Sequence, residues 1–346
     1  MFRHKLKFIP VLLIIISCLI TSCSSQDKKD ASDFFLKGNT AFTQNNYAEA
    51  VRLYDEAIAK NAEFSDAYLN KGISLMKLNR PEDAYEVLSE AIRIDPTFVQ
   101  AILARAEVAL VLGDLTAAEA GLKEIQKKYQ DSTRYYLIHG DLMVERGQNS
   151  IALADYDKAL QLSPTNTEAW VNRGALYYNQ HQFGLARNDF SEAVKLDPYR
   201  AEAINNLGLI ATKERNWTQA LAYFDRVLGR NPSNALALNN KAFVLLENRK
   251  AAEARELIER SLELLPENGY ALRNLGLYYM QTGSTEKAIQ CYEKAIELAQ
   301  PVENLYGYTG QAYLKNSQKQ QACAVWSKGK LLSDSLAIIN YQSECL

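Results

Sequence analysis

The sequence predicts an all-α solenoid of about nine helix-turn-helix units, and three observations carry that expectation. Small residues recur every 34 positions, at Gly38, Gly72, Ala106, Gly140, Gly174, Gly208, Ala242, Gly276 and Gly310. The same step from Ala50 reaches Ala84, Ala118, Ala152, Ala186, Ala220, Ala254, Ala288 and Ala322. With alanine at roughly a tenth of ordinary sequence, nine hits in nine arise by chance on the order of 10⁻⁹. Finally, Pro96, Pro164, Pro198, Pro232 and Pro266 share one place in this frame. Proline lacks a backbone N–H and disfavours helical geometry in the residue before it, so each marks the end of a helix.

Within a unit the two small-residue sites are separated by a short polar segment such as Leu78-Asn79-Arg80-Pro81 or Thr282-Gly283-Ser284. This spacing reads as helix, turn, helix, with one small residue on each helix where the backbones approach. Large apolar residues surround them: Phe34, Tyr68, Tyr136, Trp170 and Tyr306 near the start of the first helix. Tyr54, Tyr156, Phe190, Phe224, Tyr292 and Trp326 follow four residues after the alanine. Apolar positions three, four and seven apart give one stripe toward the partner helix and another toward the next unit. The order of Gly, Ala, aromatic and Pro at this period resembles the tetratricopeptide repeat family over residues 31–336. That resemblance implies a right-handed superhelix whose units bury their faces only against neighbours. Residues 337–346 are expected to form a C-terminal cap, Leu336, Ile339 and Tyr341 covering the last unit.

The first residues read as an address. Arg3, Lys5 and Lys7 precede an apolar run, Phe8 to Ile16, and then small residues, the pattern of a secretory leader over 1–22. The run is short against the roughly 20 residues that span a bilayer. Ile20-Thr21-Ser22-Cys23 resembles the bacterial lipobox, which implies cleavage before Cys23, its lipidation, and a tether over 23–30. Ile15-Ile16-Ser17-Cys18 fits the same pattern, but cleavage there would leave Leu19-Ile20 exposed, whereas polar Ser24 to Asp30 follow Cys23. Several acyl chains on one Cys would anchor the chain stably. Ser24 after that Cys implies sorting to the outer membrane, with the solenoid facing the periplasm.

The formal charge is −2, and loss of Arg3, Lys5 and Lys7 would make it −5, so no basic stripe favours nucleic acid. Neither His139 nor His181 has a second histidine or a cysteine at metal-ligand spacing. No strand–glycine loop for phosphates is present. Neither cofactor, metal nor catalytic activity is expected. Of the remaining cysteines, Cys323 could pair with Cys345 or simply pack, as Cys291 could.

The resemblance places the first helices on a concave surface. There Asn172, Asn206, Asn240 and Asn274 recur at one-unit spacing, preceded by Asn205, Asn239 and Arg273. An amide offers both donor and acceptor, so such a row resembles an asparagine ladder for an extended peptide; it equally suits bonds between neighbouring helices. A carboxylate clamp is not supported, because its places hold Leu69, Leu103, Leu137 and Val171. With Met76 and Leu110 these could instead form an apolar docking surface, or core. The expected function is a membrane-anchored scaffold binding a peptide or protein partner in its groove. The alternatives are an assembly factor of an outer-membrane secretion, pilus or transport complex, or an accessory to a cell-wall enzyme.

Overall fold

The computed structural model describes residues 9–126, 129 and 131–346, with side chains from residue 26 onward. The basic start of the leader and the side chains of the lipobox and Cys23 lie outside the described residues. Among the described residues there are nineteen helices and no strand. None of these helices is long and apolar enough to cross a membrane.

The chain forms two compact units, Met1–Ala169 and Trp170–Leu346. The first contains α1 (Ile9–Thr43), α2 (Tyr47–Lys60), α3 (Ser65–Lys77), α4 (Pro81–Ile94), α5 (Val99–Val111), α6 (Leu115–Ile125), α7 (Thr133–Glu145) and α8 (Asn149–Leu162). The second is built on α9 (Thr167–Asn179), α10 (Phe183–Leu196), α11 (Ala201–Lys213), α12 (Trp217–Arg230), α13 (Ala235–Glu247) and α14 (Ala251–Leu264). It continues with α15 (Gly269–Gln281), α16 (Thr285–Glu297), α17 (Leu305–Lys315), α18 (Lys319–Leu331) and α19 (Ser335–Glu344).

Each pair is joined by a three-residue turn whose middle residue has φ between 57 and 83°, at Asn45, Asn79, Gly113, Gly147, His181, Arg215, Arg249, Gly283 and Ser317. The left-handed residue lets the chain close the first helix. In the α3–α4 turn, Asn79 N–H donates to Met76 O at 3.1 Å and Arg80 N–H to Leu75 O at 3.0 Å. His181 therefore sits in a turn. His139 instead bonds Asp155 through Nδ1 at 2.6 Å and stacks on Tyr135. Asparagine, aspartate or serine caps many helices: Asn46, Asp114, Ser132, Asn216, Asn234, Asn268 and Asp334 each accept from an N–H in the first turn.

The alanines of the second row are fully buried wherever they occur, from Ala50 to Ala322. The Gly/Ala row explains itself by what faces it sixteen residues on. A ring lies over Gly38, Gly140, Gly174, Gly208, Gly276 and Gly310, so close that an added Cβ would stand 2.9 Å or less from it. The two units with alanine, Ala106 and Ala242, carry Leu122 and Ile258 in the ring's place.

First helices also pack on the first helix of the next unit: α1 on α3, α3 on α5 and α5 on α7 in one unit, and α11 on α13, α13 on α15 and α15 on α17 in the other. Second helices make no such contact with one another among the described residues. Elements on the inside of a curved stack are crowded together, so the first helices form the inner face of each compact unit.

At the C-terminus α19 covers α17 and α18. Asp334 Oδ1 caps it through Ala337 N–H at 2.8 Å, and Oδ2 takes the N–H groups of Tyr306 and Gly307 at 2.9 and 3.3 Å. Leu336 packs over Gly307 and Ala337 over Gly329. Ile339, expected to help cover the last unit, is 61 % exposed. The covering face is Leu336, Ala337 and Tyr341, because Ile339 falls on the other side of the helix.

Candidate functional site

The seven groove residues expected from the sequence all lie on first helices of the second compact unit. Three do not present themselves to a partner: Asn239, Arg273 and Asn274 are buried, at 2, 6 and 0 % exposure. They form one hydrogen-bonded chain with two others. Arg273 donates through Nη2 to Asn274 Oδ1 at 2.8 Å, and Asn274 Nδ2 donates to Asn239 Oδ1 at 2.6 Å. Asn239 Nδ2 then donates to Asn240 Oδ1 at 3.3 Å, and Asn240 Nδ2 to Asn205 Oδ1 at 3.1 Å. Every link runs in the same donor sense, so the amides polarise one another from α15 through α13 to α11.

The ladder thus exists, but it ties neighbouring repeats together. The reason is distance: at one-unit spacing on touching helices, an amide reaches the next amide before it reaches a ligand. The same device recurs in the first compact unit, where Asn70 Nδ2 and Tyr54 OH both donate to Asn39 Oδ1 at 2.8 Å. We predict that Asn274→Ala lowers stability by about 2–3 kcal/mol, because it strands buried partners, whereas Asn205→Ala at the end of the chain costs under about 1 kcal/mol. Urea denaturation would check this, and equal losses would show that the chain is not cooperative.

Asn206 is half-buried and outside this chain, while Asn172 is half-buried and engaged. Beside Asn206 a row of half-buried apolar side chains runs along the first helices: Leu209, Phe243 and Leu277. In the first compact unit, Leu69, Leu103 and Leu137 are buried at 8, 4 and 5 % exposure, which makes them core rather than a docking surface. Met76 and Leu110 remain half-buried.

Sequence reasoning missed a second set of residues on the inner face. Lys213, at the end of α11, holds both carboxylate oxygens of Glu303 at 2.6 and 2.7 Å, 90 residues away. Burial, with Glu303 and Tyr270 adding negative charge, pushes the Tyr178 phenol up to about 12. The signal available in the sequence was Pro301, one place out of register with the other linker prolines. Among the described residues no cluster of three or more His, Cys, Asp or Glu is placed to hold a metal ion.

Stacked helix-turn-helix pairs whose first helices line one face define a helical-repeat protein. Family models for the tetratricopeptide repeat match residues 35–97, 172–235 and 75–142, a TPR repeat model matches 140–181, and the Psidin N-terminal TPR repeats region matches 211–326. The matches run without a gap from residue 35 to 326, and the chain belongs to the tetratricopeptide repeat family. The "Protein STIP1 homolog" of Dictyostelium discoideum is 32% identical over 29% of this chain and 18% of its own length. The "Hsp70-Hsp90 organizing protein" of Triticum aestivum is 31% identical over 28% of this chain and 17% of its own. A "Tetratricopeptide repeat and J domain-containing co-chaperone DNJ1" of Cryptococcus neoformans is 25% identical over 45% and 33%. The chain therefore spans a third or less of these relatives. Among solved structures, the APC/C hetero-tetramer Cut9-Hcn1 superposes with a TM-score of 0.65 at 14% identity, over 91% of this chain and 76% of that one. A tetratricopeptide repeat protein from Parabacteroides merdae gives 0.55 at 18% identity, over 72% and 98%. At these identities the likeness concerns the fold.

Proposed function

We propose that this protein is a lipid-anchored scaffold of a bacterial cell envelope, which holds an extended segment of a partner protein on the first-helix face of its second compact unit. The observation that carries the binding reading is the inner face itself: Leu209, Phe243 and Leu277 in a half-buried row, with the Asn206 amide beside them. A solenoid offers such a face as its largest concave surface. Co-chaperone and organizing proteins among the relatives favour a protein partner over a small molecule. The family matches describe repeats, and none describes a catalytic domain.

Anchoring rests on the lipobox-like Ile20-Thr21-Ser22-Cys23, and a bond between Cys323 and Cys345 favours an oxidising compartment such as the periplasm. Ser24 supports the outer membrane. To test the reading, a photo-reactive residue would replace Asn206 or Leu209 in cells, with Cys23 intact. We expect adducts with envelope proteins, lost when Phe243 is replaced by Glu. Adducts that survive Phe243→Glu, or none from either position, would remove the groove from the first-helix face. Metabolic labelling with a fatty-acid analogue tests the anchor separately, the label being expected to vanish in Cys23→Ser.

A further inference from the structure

The linker between α16 and α17 differs from the others. In four linkers an Asn or Asp at one place in the frame accepts from the N–H two residues on: Asn61, Asp95, Asp197 and Asn231, at 3.2, 2.9, 3.0 and 3.1 Å. Such Asx turns close the linker tightly. Ala299 holds that place here and has no side-chain acceptor; Leu265 lacks one too but is followed at once by Pro266, whereas Pro301 comes one residue late. Accordingly α16 stops at Glu297, Ala299 and Asn304 take φ values of 53 and 58°, and α17 starts only at Leu305.

The slack chain lies against first helices and makes the bonds that a bound extended peptide would make. Gln300 grips the start of α15 and the linker before it by its side chain, accepting from Gly269 N–H at 3.0 Å and donating to Glu267 O at 2.9 Å. Tyr270 OH donates to Pro301 O at 3.0 Å and Arg273 Nη1 to Glu303 O at 3.2 Å. Val302 is buried, and the Glu303 carboxylate is held by Lys213 on α11. Arg273 lies against the rings of Phe243 and Tyr270, at 4.6 and 5.3 Å, and forms no ion pair among the described residues. Its Nε and Nη2 are held by Asn274, so a partner reaches it only by replacing the Glu303 carbonyl on Nη1.

We propose that Gln300–Asn304 is an internal occupant of the groove, and that an extended acidic peptide segment of a partner displaces it. The partner's carboxylate then takes Lys213, and its carbonyls take Tyr270 and, once the linker that covers it has left, Arg273. The inference deepens the scaffold reading above and rests on it. A tethered segment competes at an effective concentration on the order of millimolar, so weak and neutral peptides are shut out. The linker acts as a threshold on partner choice.

The test uses the full-length chain in detergent and a fluorescein-labelled synthetic peptide, Gln-Pro-Val-Glu-Asn, with both ends blocked, read by anisotropy. Restoring the common linker through Ala299→Asp, Gln300→Pro, Pro301→Ser and Glu303→Ala opens the groove. The opened chain should bind the peptide about tenfold or more tightly than the unaltered chain, since affinity scales with the open fraction. Adding Lys213→Glu, or changing the peptide's Glu to Gln, should abolish that gain. Glu303→Gln alone, a half-exposed change that leaves the linker intact, should raise affinity about two- to fivefold through loss of one surface ion pair. Equal affinity for the unaltered, opened and Glu303→Gln chains overturns the proposal. If adducts from Asn206 and Leu209 persist in that case, the groove stands and only its internal occupant is wrong.

Discussion

Replacing Gly276 by alanine is expected to destabilise the protein by about 2 kcal/mol, but by only about 0–1 kcal/mol in a chain that already carries Tyr292→Leu. The added Cβ would stand 2.2 Å from Tyr292 Cε1, and the ring is fully buried with nowhere to retreat. Units with alanine at this place carry Leu122 or Ile258 opposite it, both buried. Gly72 faces Leu88, so glycine tolerates either partner, but alanine faces a ring in none of the nine units. The two sites therefore behave as one volume. Tyr292→Leu alone leaves a cavity and costs about 2–4 kcal/mol. It also removes a buried hydroxyl that finds no hydrogen-bond partner, which offsets part of the cost. A double-mutant cycle by urea denaturation should give a favourable coupling of about 1–2 kcal/mol. Additive losses would show that backbone approach, rather than the ring, sets the glycine.

The same pairing explains why the fold was legible in the sequence. Helix boundaries, turns and small-residue rows depend on contacts inside one repeat, and those contacts return every 34 residues. The recurrence of Gly276 and Ala288 in frame was enough to place both helices of their unit. The groove was legible only as a pattern. Asn205, Asn239 and Asn274 stand at the right spacing for a ladder, but that spacing brings amides onto touching helices and lets them satisfy one another. Only the separation of first helices decides between ligand and neighbour, and that separation is set by side chains several positions away. Leu69, Leu103 and Leu137 were ambiguous for the same reason. The linker from Ala299 to Asn304 was visible as a proline out of register. Its course along the inner face was not, because Lys213 and Glu303 meet through stacking of the intervening repeats.

Replacing Cys345 by serine is expected to lower stability by about 3 kcal/mol and to loosen α19 first. Cys323 on α18 and Cys345 just beyond α19 are bonded, with Cα atoms 5.8 Å apart and a separation of 22 positions in sequence. Closing a loop of that length removes chain entropy from the unfolded state worth about 3 kcal/mol. The last element of a solenoid has a neighbour on one side only, and α19 contributes Ala337 as its one fully covered side chain. Without the bond, Leu336 over Gly307 and the double cap by Asp334 must hold it alone. Opening there would also expose Trp326, whose Nε1 donates to Gly307 O at 3.0 Å. Amide exchange in α19 should therefore rise before exchange in α15 or α16, and dithiothreitol should reproduce the effect in the unaltered chain. Cys291 should not shuffle into the vacancy, since burial pushes its thiol up to about 11 and leaves little thiolate to attack. Uniform acceleration of exchange across the second compact unit would instead mean that the bond stabilises all of its repeats as a single cooperative block.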